Sequence, residues 1–254
     1  MTPDGDRQAA ATYLRIADDL RRQITSGDLA PGTQMPSELK LTKLYGASRP
    51  TVRQALDVLH GEQLIDKIPT VGTFVRRRPA LTTRSSTRYA RQPGETSPFA
   101  RDAKREGARP DWDHETNRIR AGEDVAARLG LEVGVHVMRT HYLFRADGRP
   151  IQTSTSWEPF EIVGGTAIEE PEEGPGSRGV VARFDTIDVR IDRVVERVRA
   201  RPATEEERRQ LDIPEGVWVQ QIERTHYAGD QAVETADITV PADRYELEFV
   251  IPVE

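Results

Sequence analysis

The sequence predicts an α+β protein of two domains and a linker: an N-terminal domain of three helices and a hairpin over 8–78, a linker over 79–96, and a C-terminal antiparallel-sheet α/β domain over 97–254. Three observations predict it. Between residues 11 and 75, apolar residues recur at helical spacing in three runs and then at strand spacing in two. The stretch 79–96 is rich in Ser, Thr, Arg and Pro, with few apolar residues. Residues 112–159 align without a gap on 194–241, at an offset of 82. A chain of 254 residues also exceeds one ordinary small domain.

In the first domain, Leu14, Ala17, Leu20 and Ile24 mark a helix from about Ala11 to Ser26, stopped by Gly27. Ser37 is placed to cap a second helix, Glu38–Tyr45, which Gly46 breaks. Ser48 caps a third, with Pro50 tolerated in its first turn and Val52, Ala55, Leu56 and Leu59 as its buried stripe. Residues 64–68 and 73–75 read as strands around a Pro69–Gly72 turn. Three helices and a hairpin make a winged helix-turn-helix. The free face of the third helix carries Arg49, Thr51, Arg53 and Gln54, a donor-rich set suited to guanine edges and phosphates.

The segment 13–75 resembles the DNA-binding domain of the GntR superfamily of bacterial transcription regulators. The resemblance rests on Met35-Pro36-Ser37-Glu38, on Ala47-Ser48-Arg49-Pro50-Thr51-Val52-Arg53-Gln54-Ala55-Leu56, and on Val71-Gly72-Thr73-Phe74-Val75. It implies that Arg49 and Arg53 contact DNA and that Gly72 brings the wing tip to the minor groove. The candidate DNA-contact set is Ser37, Arg49, Thr51, Arg53, Gln54, Gly72 and Thr73. The sequence departs at Leu39, where the family often has arginine, so Lys40 or Lys43 is left to supply that charge. The run Arg76-Arg77-Arg78 reads equally as a phosphate contact and as a solvated charge run.

In the second domain, each repeat reads strand, short helix (Glu123–Leu129; Glu205–Leu211), Gly turn, strand, turn, strand. The expected result is one largely antiparallel sheet with helices on one face and a crevice between the halves. Nine of the 48 aligned positions are identical, among them Gly134/Gly216 and Thr153/Thr235. The tetrapeptide Arg139-Thr140-His141-Tyr142 also recurs as Arg224-Thr225-His226-Tyr227, at an offset of 85. Adopting that odd offset would swap the faces of a strand, so this recurrence is read as accidental. Arg139 and His141 interrupt an apolar row, which is costly unless they are paired or bind something. The strand Gln152–Trp157 is almost all hydroxyls, and its duplicate holds Glu234, Thr235 and Asp237. These groups form either a polar ligand site or exposed hairpin faces.

Residues 95–250 resemble the UTRA effector domain of the HutC branch of the same superfamily, which implies a chorismate-lyase-like fold. The carrying residues include Thr96-Ser97-Pro98-Phe99, Val137-Met138-Arg139, Ala146-Asp147-Gly148-Arg149-Pro150-Ile151 and Glu234-Thr235-Ala236-Asp237. The resemblance implies an effector among Ser97, Phe99, Arg139, Ser154, Ser156 and Glu234. His141 and Asp237 complete the candidate effector set. Amino-sugar-phosphate sensors of the branch carry arginine and glutamate where this chain has His141 and Ser154, so their ligand class does not carry over.

Charge and composition bound the function. Residues 1–80 hold 12 Lys+Arg against 9 Asp+Glu, and residues 111–254 hold 17 against 30, so only the front of the chain suits a polyanion. With no cysteine, thiol catalysis and disulfides are excluded. The five histidines (60, 114, 136, 141 and 226) form no metal-binding spacing, and no cofactor is expected. No apolar run reaches membrane-spanning length, and a cytoplasmic, nucleoid-associated protein is expected. A ligand-released repressor, dimeric on a pseudo-palindromic double-stranded operator, is the leading expectation, and the family resemblance implies GT…AC half-sites. The alternative is a DNA-binding or partition-type protein whose C-terminal domain only dimerises. An enzyme is not expected.

Overall fold

The computed structural model describes residues 3–77, 81–91, 97–172 and 178–251, with side chains from Thr12 onward. The chain divides into two compact units, Met1–Pro79 and Ala80–Glu254.

The first unit contains α1 (Pro3–Ser26), α2 (Glu38–Tyr45), α3 (Arg49–Gly61), β1 (Ile65–Ile68) and β2 (Gly72–Val75). Its helices start and stop where short-range chemistry dictates. Ser37 Oγ accepts from Lys40 N and Ser48 Oγ accepts from Thr51 N, which satisfies one free donor at each N-terminus. Gly46 closes α2 at φ +60°, a left-handed conformation that a side chain would oppose. The core joins Ala17 and Leu20 of α1, Leu41 of α2, the Val52–Leu59 stripe of α3, and Ile65 and Val75 of the hairpin. Leu14 faces outward and Ile16 takes the buried place expected for it. The wing includes a third chain segment that the sequence pattern does not reveal. Met35 N donates to Thr73 O at 2.8 Å, and Val75 N donates to Thr33 O at 2.9 Å.

The second unit contains β3 (Thr82–Ser85), α4 (Pro98–Arg105), β4 (Pro110–Arg120), α5 (Glu123–Leu129), β5 (His136–Ala146), β6 (Arg149–Pro159), α6 (Phe160–Val163), α7 (Val180–Asp185), β7 (Arg193–Pro202), α8 (Glu205–Leu211), β8 (Trp218–Ala228), β9 (Gln231–Pro241) and β10 (Tyr245–Glu248). Six of these strands form one antiparallel sheet in the order β4-β5-β6-β9-β8-β7. That order is the duplication made visible. Each repeat contributes a three-stranded half, and the halves meet through β6 and β9. The offset of 82 carries α5 onto α8, β5 onto β8 and β6 onto β9 at both ends. It also carries the register shift at Phe144/Arg145 onto the one at His226/Tyr227. The offset of 85 matches no element boundary.

Two expectations are corrected here. Helices cover both faces of the sheet, not one. The clusters around Leu129 of α5 and Leu211 of α8 bury Val137 and Val219. On the other face Phe99 of α4 packs with Ile222 and Ile238, and Phe184 of α7 packs with Met138. Part of the linker over 79–96 is also structured. Thr82–Ser85 pairs in parallel with Tyr245–Glu248, and Arg84, at 4% exposure, is buried. A polar segment reads as linker from composition, but Arg84 finds Glu196 at 2.5 Å and Arg88 finds Asp102 at 3.2 Å, partners distant in sequence. The remainder, 79–80 and 92–96, lies outside the described residues.

Gly130 and Asp212 are equivalent C-caps of α5 and α8, at φ +66° and +47°. A Cβ on Gly130 meets nothing within 4 Å, so backbone strain alone decides the outcome there. Gly130→Ala is expected to destabilise the unit by about 1 kcal/mol, and Asp212→Gly to stabilise it by roughly 0.5–1 kcal/mol. Thermal melts of the two variants, shifting in opposite directions, are the check.

Candidate nucleic-acid interface and effector cavity

The exposed face of α3 begins at its N-terminus. Arg49, Arg53 and Gln54 are exposed, and Thr51 is half-buried with its hydroxyl 2.7 Å from Ser48 Oγ. Both arginines lean on one carboxylate of α2. Arg49 Nε donates to Glu38 Oε2 at 2.8 Å, while Arg53 donates through Nε to Oε1 at 3.2 Å and through a terminal nitrogen to Oε2 at 3.1 Å. The Arg53 and Arg49 guanidiniums hold the Glu38 carboxyl below its usual range. Lys40 and Lys43 of α2 and its N-cap Ser37 are exposed, and Leu39 stands 65% exposed among them. On the wing, Gly72 adopts φ +142°, and a Cβ there would sit 2.6 Å from Gln34 Nε2. Thr73 follows it as a half-buried residue of β2. Of the arginine run, Arg76 is buried, Arg77 is exposed, and Arg78 lies outside the described residues.

The second unit holds a cavity of about 400 Å³ on the α4–α7 face of the sheet. Strand alternation selects its floor. Tyr142 and Phe144 of β5, Ser154 and Ser156 of β6, Arg224 and His226 of β8, and Glu234 and Ile238 of β9 all face it. One side is a wall of aromatic rings. Phe99 lies 4.6 Å from Phe144, and Tyr142 stacks on Phe144 at 5.2 Å. Trp112 Nε1 donates to Glu172 at 3.0 Å. The inner end is charged. Glu234, 0% exposed, accepts from Arg224 at 2.6 Å and pairs with His226 Nδ1 at 2.7 Å. Burial pushes the Glu234 carboxyl up, but Arg224 and His226 outweigh it and hold it at about 2. Burial pushes the His226 imidazole down, against the pull of Glu234. Arg84, Arg88 and Tyr89, from the segment read as linker, line the same end, and burial lowers Arg88 to about 10.

Comparison with known proteins follows this division. The family "Bacterial regulatory proteins, gntR family" matches residues 12–75, and the UTRA domain matches residues 113–246. The chain is a GntR-family transcriptional regulator. An HTH-type transcriptional regulator of Streptomyces coelicolor is 31% identical over 254 residues, covering 96% of this chain and 94% of its own. The HTH-type transcriptional repressor NagR of Bacillus subtilis is 32% identical over 240 residues, covering 92% and 91%. A solved GntR-family transcriptional regulator superposes with a TM-score of 0.78 at 39% identity, covering 96% of this chain and 98% of that one. The UTRA architecture is consistent with the HutC branch, and this family consists of regulators rather than enzymes. No helix among the described residues is long and apolar enough to cross a membrane.

The regulator's cavity brings together five of the eight expected effector residues: Ser97, Phe99, Ser154, Ser156 and Glu234. The other three expected residues do not line it. Arg139, His141 and Asp237 lie on the opposite face, under α5 and α8. His141 Nδ1 sits 2.9 Å from Thr155 Oγ1, and Asp237 accepts from Arg128 of α5 at 2.8 Å. The physical reason is strand parity. Pairing sets Ser154 opposite Tyr142 and Thr155 opposite His141, so a floor containing Ser154 excludes His141. The arginine and histidine of the tetrapeptide that line this cavity are Arg224 and His226, from its second copy. The odd offset that made the recurrence accidental as homology is what places the two copies on opposite faces. The floor was legible from sequence through the residues even-spaced from Ser154 and Glu234.

Arg49→Ala and Arg53→Ala are each expected to cost about 1–3 kcal/mol of specific binding, measured by titration against a selected duplex. A second expectation concerns acid. Glu234 is depressed, so its stabilising contribution is complete above about 4.5 and is lost as pH falls towards about 2. His226 is also depressed, so the unfolded chain takes up a proton below about 6.5 that the folded unit resists, and stability falls progressively below that pH. Both effects weaken the unit as pH falls. His226→Gln should flatten the decline in melting temperature between about pH 6.5 and 4.5 and leave the lower limb in place.

Proposed function

We propose that this regulator is a ligand-responsive repressor, released from its operator when a small polar metabolite occupies the cavity over Glu234. The observation that carries the proposal is the cavity itself: about 400 Å³, with a charged floor and an aromatic wall, in a family of DNA-binding regulators. Similarity to the repressor NagR supports the sign of regulation. The wall suits an apolar face on the ligand, and the serine hydroxyls with Arg224 suit a polar one. Arg84, Arg88 and Arg224 already face Glu196, Asp102 and Glu234, which disfavours a multiply charged ligand. Specific sites usually bury on the order of 1,000–2,500 Å² of protein surface, more than one winged helix offers, so a homodimer on a pseudo-palindromic duplex meets the need. A reducing cytoplasm, with the protein on the nucleoid, is the fitting compartment for a cysteine-free DNA binder.

The test is operator affinity with and without fractions of a host metabolite extract. A released complex should show a coupling of roughly 5- to 150-fold. Glu234→Ala should abolish that response with DNA binding intact, and Arg139→Ala should retain it. If no fraction changes the affinity, the cavity is no sensor, and the C-terminal unit serves only to dimerise.

A further inference from the structure

Two exposed guanidiniums on the reading helix share one carboxylate. Arg49 and Arg53 have side chains 71% and 57% exposed, while Glu38 is 28% exposed. Long exposed arginines ordinarily sample many rotamers and lose that freedom on binding. Here the side edge of each is already engaged. Arg49 uses Nε, and Arg53 uses Nε with one terminal nitrogen. A guanidinium carries five N–H donors, so each keeps terminal N–H groups that Glu38 does not engage, enough for a fork at its tip. That fork is the edge that fits guanine O6 and N7.

The carboxylate has a second effect. It lies at the N-terminus of α2, where the helix favours negative charge, and it stays ionised beside its two partners. Two arginines and one carboxylate present a net charge of +1, where the arginines alone present +2. Attraction to phosphate acts on any sequence alike, so lowering it weakens non-specific binding most.

We propose that Glu38 is a specificity-determining positioning residue: it aims the forks of Arg49 and Arg53 at base edges and withholds part of their charge from the phosphate backbone. Opposite movements should follow from one substitution. Glu38→Gln frees both arginines and adds one net positive charge. Affinity for the preferred duplex should fall and affinity for scrambled DNA should rise. Damage to folding would lower both.

The experiment uses full-length protein and two probes: a duplex selected from a randomised pool by the wild type, and a scrambled duplex of equal composition. Binding is titrated from low to high KCl. For Glu38→Gln the ratio of the two affinities should drop about ten-fold, within the range of one lost guanine fork. The salt slope on scrambled DNA should steepen by roughly 0.9 for each additional phosphate neutralised. Glu38→Asp keeps the charge but is too short to span both arginines. It should lose affinity for the selected duplex and keep the wild-type slope on scrambled DNA. If melting shows that the Gln variant is unfolded, the Asp variant decides. An unchanged ratio in a folded variant, or equal weakening on both duplexes, overturns the proposal.

Discussion

The antiparallel pairing of β6 with β9 is the contact on which the C-terminal unit depends. It joins the two repeats, with Ser154 opposite Ile238, Ser156 opposite Ala236 and Trp157 opposite Thr235. Side chains alternate along a strand, so this one register decides every residue on each face. The repeat offset is even, so equivalent residues of the halves share a face. Tyr142 corresponds to Arg224 and Phe144 to His226, and all four line one cavity. A symmetric scaffold thereby carries an asymmetric lining: at these equivalent positions β5 supplies aromatic rings and β8 supplies an arginine and a histidine.

That charged lining is held at a cost. Burying a carboxylate, a guanidinium and an imidazole together forfeits hydration that their mutual attraction only partly restores. Apolar residues of similar size would stabilise a plain core at least as well. The arrangement is intelligible as a site that holds polar groups ready for a polar guest. Glu158 and Arg183 form a second buried pair beside it. The proposed DNA-reading face follows the same logic in miniature, with Arg49 and Arg53 both hydrogen-bonded to Glu38.

Much of this was legible in the sequence. Caps and glycines fix α2 and α3 to the residue, because Ser37, Gly46 and Ser48 act over three or four positions. The repeat was legible as well, since strand lengths and turns repeat even where side chains have diverged. What stayed hidden depends on partners distant in the chain. Arg84 and Arg88 sit in a segment with a linker's composition, and only Glu196 and Asp102 explain their burial. The third wing segment at 33–35 has no periodicity of its own. The sequence pointed to Arg139 and His141, whereas Arg224 and His226 line the cavity, for a single reason. Both pairs look alike in sequence, and only the register of β5 against β6 says which face they occupy.

The central claim is that the Glu234 face of the sheet is the sensing face. Hydrogen exchange on the full-length protein, with and without a metabolite fraction that releases DNA, tests it most directly. The account predicts slowed exchange in α4, in β6 around Ser154 and in β9 around Glu234, with α5 and α8 unchanged. Protection confined to α5, α8 and the strand ends beneath them would place the ligand on the Arg139 face and contradict the account.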